Sequence, residues 1–136
     1  MNILISDHPE VQISKLLSLI GQPVRIQILL IIGAQEACVC HLEAVLGVRQ
    51  ASISQHLMVL RKAGLVTSHR DGRNVFYHLT HPEVVDVLQQ VAQLTGSISE
   101  TLRALTVRPV PGCPCPQCNP GVDPQLTCQK IKGKLS

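Results

Sequence analysis

Two groups of cysteines supply the donors from which this chain could build a reactive or metal-binding centre. They are Cys38-Val39-Cys40 and, far along the chain, Cys113-Pro114-Cys115-Pro116-Gln117-Cys118, with Cys128 beyond. Thiolate sulfur is a soft donor, so a cluster of this kind suits zinc, cadmium, lead, mercury or trivalent arsenic, whose lone pair favours three sulfurs in a pyramid. Successive helical residues turn by a fixed angle, so residues i and i+2 point about 200° apart. Cys38 and Cys40 can therefore share one ion only where the chain is not yet helical, and the position just ahead of His41 permits that. A helix N-terminus also favours the thiolate, the form that binds metal. In the second group the intervening prolines hold the chain extended, so several sulfurs can converge at little further entropic cost. Cys38, Cys40, Cys113, Cys115 and Cys118 are thus the candidate ligands. The C-x-C-x-x-C spacing is a fairly specific metal signal in a reduced compartment, with a self-contained structural zinc knot or plain reactive thiols as the alternatives. The histidines form no H-x-x-H or H-E-x-x-H set; His41, directly after Cys40, is a candidate further ligand.

The elements that must position these sulfurs follow from periodicity. Residues 9–20 begin with Pro9 and place Val11, Ile13, Leu16, Leu17 and Ile20 at roughly helical spacing, which predicts a first amphipathic helix. Gly21-Gln22 ends it. Pro23 opens PVRIQILLIIG, apolar nearly all round and stopped by Gly33, which predicts a buried helix. His41 to Gly47 reads as a short helix closed by glycine, and a turn of about three residues leads to a second helix from Arg49 to Gly64. In that helix Ile53, Leu57 and Leu60 share one side, while Gln50, Ser52, Gln55 and His56 lie mostly off it. Leu65 to His69 and Val75 to Leu79 read as strands joined by Arg70-Asp71-Gly72-Arg73-Asn74, a tight hairpin. A basic hairpin after a polar-faced helix predicts a winged helix-turn-helix, mainly α with a small β-hairpin wing.

From Thr80-His81-Pro82-Glu83, with Thr80 or His81 near the cap, a final helix is expected to run to about Leu105, with Val84, Leu88, Val91, Leu94, Ile98, Leu102 and Leu105 as its apolar stripe. A small domain has little core left to cover so long a stripe. The expectation is that it pairs with the first helix and with a second copy of the chain, giving a homodimer through the N- and C-terminal helices. The domain expected to bind DNA and dimerise is then residues 1–105. Residues 106–136 hold six of the nine prolines and four of the six cysteines, a Pro/Cys-rich tail for metal binding or thiol chemistry, ordered only where something ties it down.

Composition narrows the function. Phe76 and Tyr77 are the only aromatic residues, so the stacking platforms that bind single-stranded nucleic acid are missing. The net charge is +3, but between Arg49 and Arg73 there are five Lys/Arg against the single acid Asp71, an excess that suits a phosphate backbone. No apolar run is long enough to span a membrane, and MNILISDHPE lacks a basic segment before an apolar core. With enough aliphatic content to fold without disulfide staples, the expectation is a cytoplasmic protein with reduced thiols. No phosphate loop, cofactor motif or nucleophile-base pair points to an enzyme or to an organic cofactor.

These features resemble the ArsR/SmtB family of metal-sensing winged-helix repressors, over about Leu16 to Leu105. The resemblance rests on LLSLIGQPVRIQILLIIG, on ACVCHLEAVLGVRQASISQHLMVLRKAGLV and on SHRDGRNVFYHLT, in the family's order and spacing. It implies a homodimer that binds double-stranded operator DNA without effector and releases it when a metal or metalloid binds. By that analogy Gln50, Ser52, Ser54, Gln55 and His56 face the major groove, and Arg49, Arg70 and Arg73 meet phosphates or the minor groove. Amide and hydroxyl side chains near a helix N-terminus do suit base edges. Cys38 and Cys40 match the Cys-Val-Cys of members that sense arsenite or cadmium and lead.

The sequence also departs from the family's patterns. Glu43 stands where arsenite sensors often have a third cysteine, and Met1 to Ala37 holds none of the N-terminal cysteines of cadmium/lead sensors. The segment from Val84 to Leu105 has Asp86 and Glu100 but no histidine, so the Asp/His site of other members is not expected. The remaining thiolates must come from the tail. The effector expected is As(III), or Cd/Pb/Zn. A thiol-based redox or polysulfide sensor of the same fold, and a DNA-binding protein with a permanent structural zinc in its tail, are the alternatives.

Overall fold

A computed structural model describes residues 7–96 and 99–122. Cys128 and Ile98 lie outside the described residues. The chain runs α1 (Pro9–Ile20), α2 (Pro23–Ala34), α3 (Val39–Leu46), α4 (Gln50–Lys62), β1 (Val66–Asp71), β2 (Asn74–Leu79), α5 (Glu83–Thr95) and α6 (Ser99–Ala104), followed by a 3₁₀ turn at Pro116–Cys118. It is a winged helix-turn-helix, mainly helical with one antiparallel hairpin.

α2 is the centre of the core. Ile28, Leu29, Leu30, Ile31 and Ile32 are all buried, as the run without a polar face requires. Ile53, Leu57 and Leu60 of α4 bury against it together with Leu42 of α3. Val84 of α5 joins the same cluster, with Val85 and Leu88 packed at its edge. Gly33 is what lets α5 approach: a Cβ there would lie 2.3 Å from Val85 Cγ2 and 3.0 Å from Leu79 Cδ1. Gly33→Ala should therefore destabilise the fold by about 1–3 kcal/mol through overpacking, outweighing alanine's helix preference of about 1 kcal/mol. A thermal unfolding midpoint equal to or above that of the wild type would refute this tight approach.

The helix-turn-helix consists of α3 and α4. α3 starts at Val39, two residues before the expected His41, and ends at Gly47 in the left-handed region (φ 65°), whose N–H bonds the Glu43 carbonyl. In the wing, Asp71 pairs with Asn74 and Gly72 takes φ 62° between them, the geometry that a two-residue hairpin needs. A third short segment joins this sheet. Ala37 and Tyr77 exchange both backbone hydrogen bonds, at 3.1 and 2.8 Å, so the residues leading into α3 lie along the free edge of β2.

One expectation is corrected at the C-terminal end. The stripe from Val84 to Leu105 is carried not by one helix but by α5 and α6. Gly96 takes φ 70° and its N–H bonds the carbonyls of Ala92 and Gln93, a left-handed cap that stops α5 at Thr95. At the other end Pro82, not Thr80 or His81, is the N-cap. Val87, Val91 and Leu94 of α5 and Ile13 and Leu17 of α1 remain exposed in the single chain.

Candidate metal centre and nucleic-acid interface

Cys38 caps α3 in extended conformation (φ −89°, ψ 167°), so its sulfur is not bound by helical geometry, while Cys40 already sits in the first turn. This meets the geometric condition for two cysteines at i and i+2 to approach: their sulfurs are 2.7 Å apart. His41, three residues from Cys38 and thus one turn along the same side, is 1% exposed.

The tail folds back onto this helix start. Arg108 reaches across to donate to the carbonyls of Gln35 (3.2 Å) and Glu36 (2.9 Å) and to the side chain of Gln117. Asn119 Nδ2 donates to the carbonyls of Cys113 (2.7 Å) and Cys115 (2.9 Å), closing the loop between them. Backbone N–H groups then point at sulfur: Cys118 N to Cys115 Sγ and Val110 N to Cys118 Sγ, both 3.3 Å. Such donors stabilise negative charge on sulfur and orient it. These contacts tie down the Pro/Cys-rich segment as far as residue 122.

The result is convergence on one ring nitrogen. Cys113, Cys115 and Cys118 Sγ stand 3.4, 3.5 and 3.4 Å from His41 Nδ1. All four donor atoms lie within 4.8 Å of one another. Zinc–sulfur bonds of about 2.3 Å and zinc–nitrogen bonds of about 2.0–2.1 Å at tetrahedral angles place sulfur and nitrogen roughly 3.5 Å apart. The donor set therefore fits a four-coordinate thiophilic ion. Cys38 stands beside it, sharing a side-chain hydrogen bond with Cys115. Cys40 does not belong to the four; it is disulfide-bonded. Cys38, Cys40, Cys113 and Cys115 are buried together with Phe76 of the wing.

Hydrogen bonds from Cys113 and then Cys38 hold the Cys115 thiol far below its ordinary range. The same bond to Cys115, followed by burial, pushes Cys38 and Cys113 up, and burial raises Cys118. An ion bound by these sulfurs must displace the protons of the thiols that it ligates. Glu43 takes no part. It lines a shallow groove with Arg49, Gln50, Ala51 and Ser54, on the α4 side of α3.

On α4, Arg49, Ser54 and Gln55 are exposed and Gln50 is half-buried at the helix start; Arg70 and Arg73 are exposed on the wing. Ser52 and His56 lie further back, half-buried. His56 Nδ1 accepts a 3.1 Å hydrogen bond from Arg25 Nε of α2, and Arg25 also donates to the Leu19 carbonyl at 2.8 Å. Met58, 55% exposed, continues the outward face from Ser54 and Gln55 at helical spacing, a position that hydrophobicity alone hides.

Burial and then the Arg25 charge lower the His56 pKa below 6.5. A depressed histidine pKa leaves stability intact above the unfolded value and removes it as the pH falls below 6.5 towards the folded value, where the unfolded chain takes up the proton more readily. The thermal midpoint should thus drop between neutral pH and about pH 5, and part of that drop should vanish in His56→Gln. An unchanged pH slope in the variant would remove His56 from the account.

Residues 22–68 match the model of the bacterial regulatory protein, arsR family. The chain is 35% identical over 81 residues to a transcriptional repressor SmtB homolog of Synechocystis, a match spanning 60% of this chain and 61% of that protein. It is 30% identical over 91 residues to the biofilm growth-associated repressor of Agrobacterium fabrum, covering 67% of this chain and 78% of the relative. Over 56 residues it is 48% identical to the arsenic resistance transcriptional regulator ArsR1 of Pseudomonas putida, 41% of this chain and 43% of the other. Among solved structures, HlyU from Vibrio cholerae superposes with a TM-score of 0.59 at 29% identity, covering 68% of this chain and all of HlyU. These relatives are transcriptional regulators rather than enzymes. Among the described residues no single helix is long and apolar enough to cross a membrane.

Proposed function

Given that this chain belongs to the arsR family of bacterial regulatory proteins, we propose that it is a metal- or metalloid-responsive transcriptional repressor. In this reading a homodimer binds operator DNA and is released when a thiophilic ion, As(III) or Cd/Pb/Zn, is taken by the tail sulfurs at the start of α3. The observation that carries the reading is the approach of Cys113, Cys115 and Cys118 to His41 Nδ1 at 3.4–3.5 Å, with Cys38 alongside.

The location supplies a route from ion to DNA. α3 is the first helix of the helix-turn-helix, and the residue before its cap, Ala37, is hydrogen-bonded to Tyr77 of the wing. An ion held between the tail sulfurs and His41 couples α3 to the tail, and a resulting shift of α3 relative to α4 and the wing moves the surface carrying Arg49, Gln50, Ser54, Gln55, Arg70 and Arg73. Half-sites about 34 Å apart tolerate little misplacement of two recognition helices. The exposed apolar residues Ile13 and Leu17 on α1 and Val87, Val91 and Leu94 on α5 support pairing of two copies. Residues 1–105 would then form the DNA-binding and dimerising unit and residues 106–136 the sensing tail.

A second reading is favoured by a specific observation: Cys40 is in a disulfide, while the Cys38 thiol 2.7 Å from its sulfur is free. In it the effector is an oxidant or polysulfide acting on the thiols. Fluorescence anisotropy of labelled DNA from beside the protein's own gene separates the two. Under reducing, oxygen-free conditions, release by stoichiometric As(III), Cd(II), Pb(II) or Zn(II) supports the metal reading. Release by peroxide or polysulfide alone overturns it in favour of the redox one.

A further inference from the structure

The wing contains a second constellation of donors, unrelated to sulfur. Glu36, His69 and His78 each offer one ligand atom, and these atoms all lie within 4.8 Å of one another. The sheet register brings them together. Thr67 pairs with His78 and His69 with Phe76, so His69 and His78 are diagonal neighbours on one face, with ring centroids 5.8 Å apart. The Ala37–Tyr77 bridge continues that register across the other edge of β2, so Glu36 lies opposite His78 on the same face. β1, β2 and the segment leading into α3 thus contribute one donor each.

Two observations single this face out from an ordinary polar surface. Glu36 Oε2 and His69 Nε2 are 2.6 Å apart, a close pair held by the fold rather than by neighbouring positions in the chain. Among the described residues, His78 Nδ1 is buried with no hydrogen-bond partner. A buried imidazole nitrogen without a partner loses its hydration with nothing in return, unless something else binds there.

We propose that Glu36, His69 and His78 form a metal site in the wing that takes a divalent ion of borderline softness, Zn(II), Co(II) or Ni(II). Two imidazoles and one carboxylate are the donors such ions accept, whereas the thiol cluster selects the softer ions. Coordination requires the Glu36–His69 pair to open from 2.6 Å to roughly 3.3 Å, the separation of two donors at about 2.0–2.1 Å from one ion. Water completes the shell on the exposed side of His69. An ion here ties both strands of the wing to the linker that leads into Cys38 and α3, and so fixes the wing's angle to the helix-turn-helix. The two sites share that linker, since Arg108 of the tail is bonded to the Gln35 and Glu36 carbonyls.

Co(II) titration of the reduced full chain tests the assignment. Wild type should bind two ions per chain, one with the intense near-ultraviolet band of thiolate ligation and one without it. A Cys113→Ser, Cys115→Ser, Cys118→Ser variant should keep only the band-free ion. His69→Gln or His78→Gln should lose that ion and keep the thiolate band. Because the triple variant can fail to fold, the same question is put to wild type whose thiols are first filled with one equivalent of Cd(II). Added Ni(II) should then broaden the ring resonances of His69 and His78 before those of the other histidines. A single ion per chain in wild type, a second ion that survives both histidine variants, or broadening that spares His69 and His78 would each overturn the proposal.

Discussion

Cys115→Ser is expected to weaken binding of a thiophilic ion by more than a hundredfold while leaving the affinity of the ion-free protein for DNA within a few-fold of wild type. Cys115 is fully buried, receives the Cys118 N–H at 3.3 Å and stands 3.5 Å from His41 Nδ1. Its thiol is also the one that hydrogen bonds from Cys113 and then Cys38 hold below the ordinary range. Structural zinc sites contribute about 10–16 kcal/mol, so one of four ligands is responsible for roughly 3 kcal/mol. That is over two orders of magnitude in affinity. Serine keeps the shape of the side chain but replaces a soft donor with a hard, protonated one. The effect should therefore appear in competition against a chromophoric chelator and in loss of ion-induced DNA release. Loss of DNA binding by the ion-free variant would instead mean that the sulfur cluster holds the domain together.

Leu57→Ala should have the largest effect on stability. Leu57 is 2% exposed and lies in the cluster that joins α4 to α2 and α3, between Ile53 and Leu60 at 0%. Truncation of such a leucine costs about 2–5 kcal/mol, from lost burial and from the cavity left behind. Against a total stability of about 5–15 kcal/mol this is a large fraction. DNA affinity should fall with it, because α4 carries Gln50, Ser54 and Gln55 on the opposite face. Denaturant unfolding gives the number directly; a loss under about 1 kcal/mol would mean that α4 is not packed as described.

These two residues also show what could be read from the chain and what could not. Ile53, Leu57 and Leu60 repeat at helical spacing beside polar neighbours, and α2 is apolar on every side, so the core and the helix-turn-helix are local signals. The wing was equally local, in Asp71-Gly72 between two β-prone runs. Gly96 was ambiguous because the apolar stripe continues beyond it, and glycine's left-handed cap competes with helix continuation on nearly equal terms. The tail cysteines were conspicuous as a motif, but their meeting with His41 rests on Arg108 and Asn119 contacts that join distant parts of the chain. His41 carried a weak signal, its place directly after Cys40. The Glu36, His69 and His78 group carried none, since no spacing motif survives when the donors are brought together by sheet register.

The central claim is that the tail sulfurs and His41 hold one ion together at the start of α3. X-ray absorption at the zinc edge, on protein loaded with one equivalent, tests this most directly. The account predicts three sulfurs at about 2.3 Å and one nitrogen at about 2.0–2.1 Å, with the nitrogen lost in His41→Gln. A shell that contains fewer than three sulfurs, or that is unchanged when His41 is replaced, would contradict it.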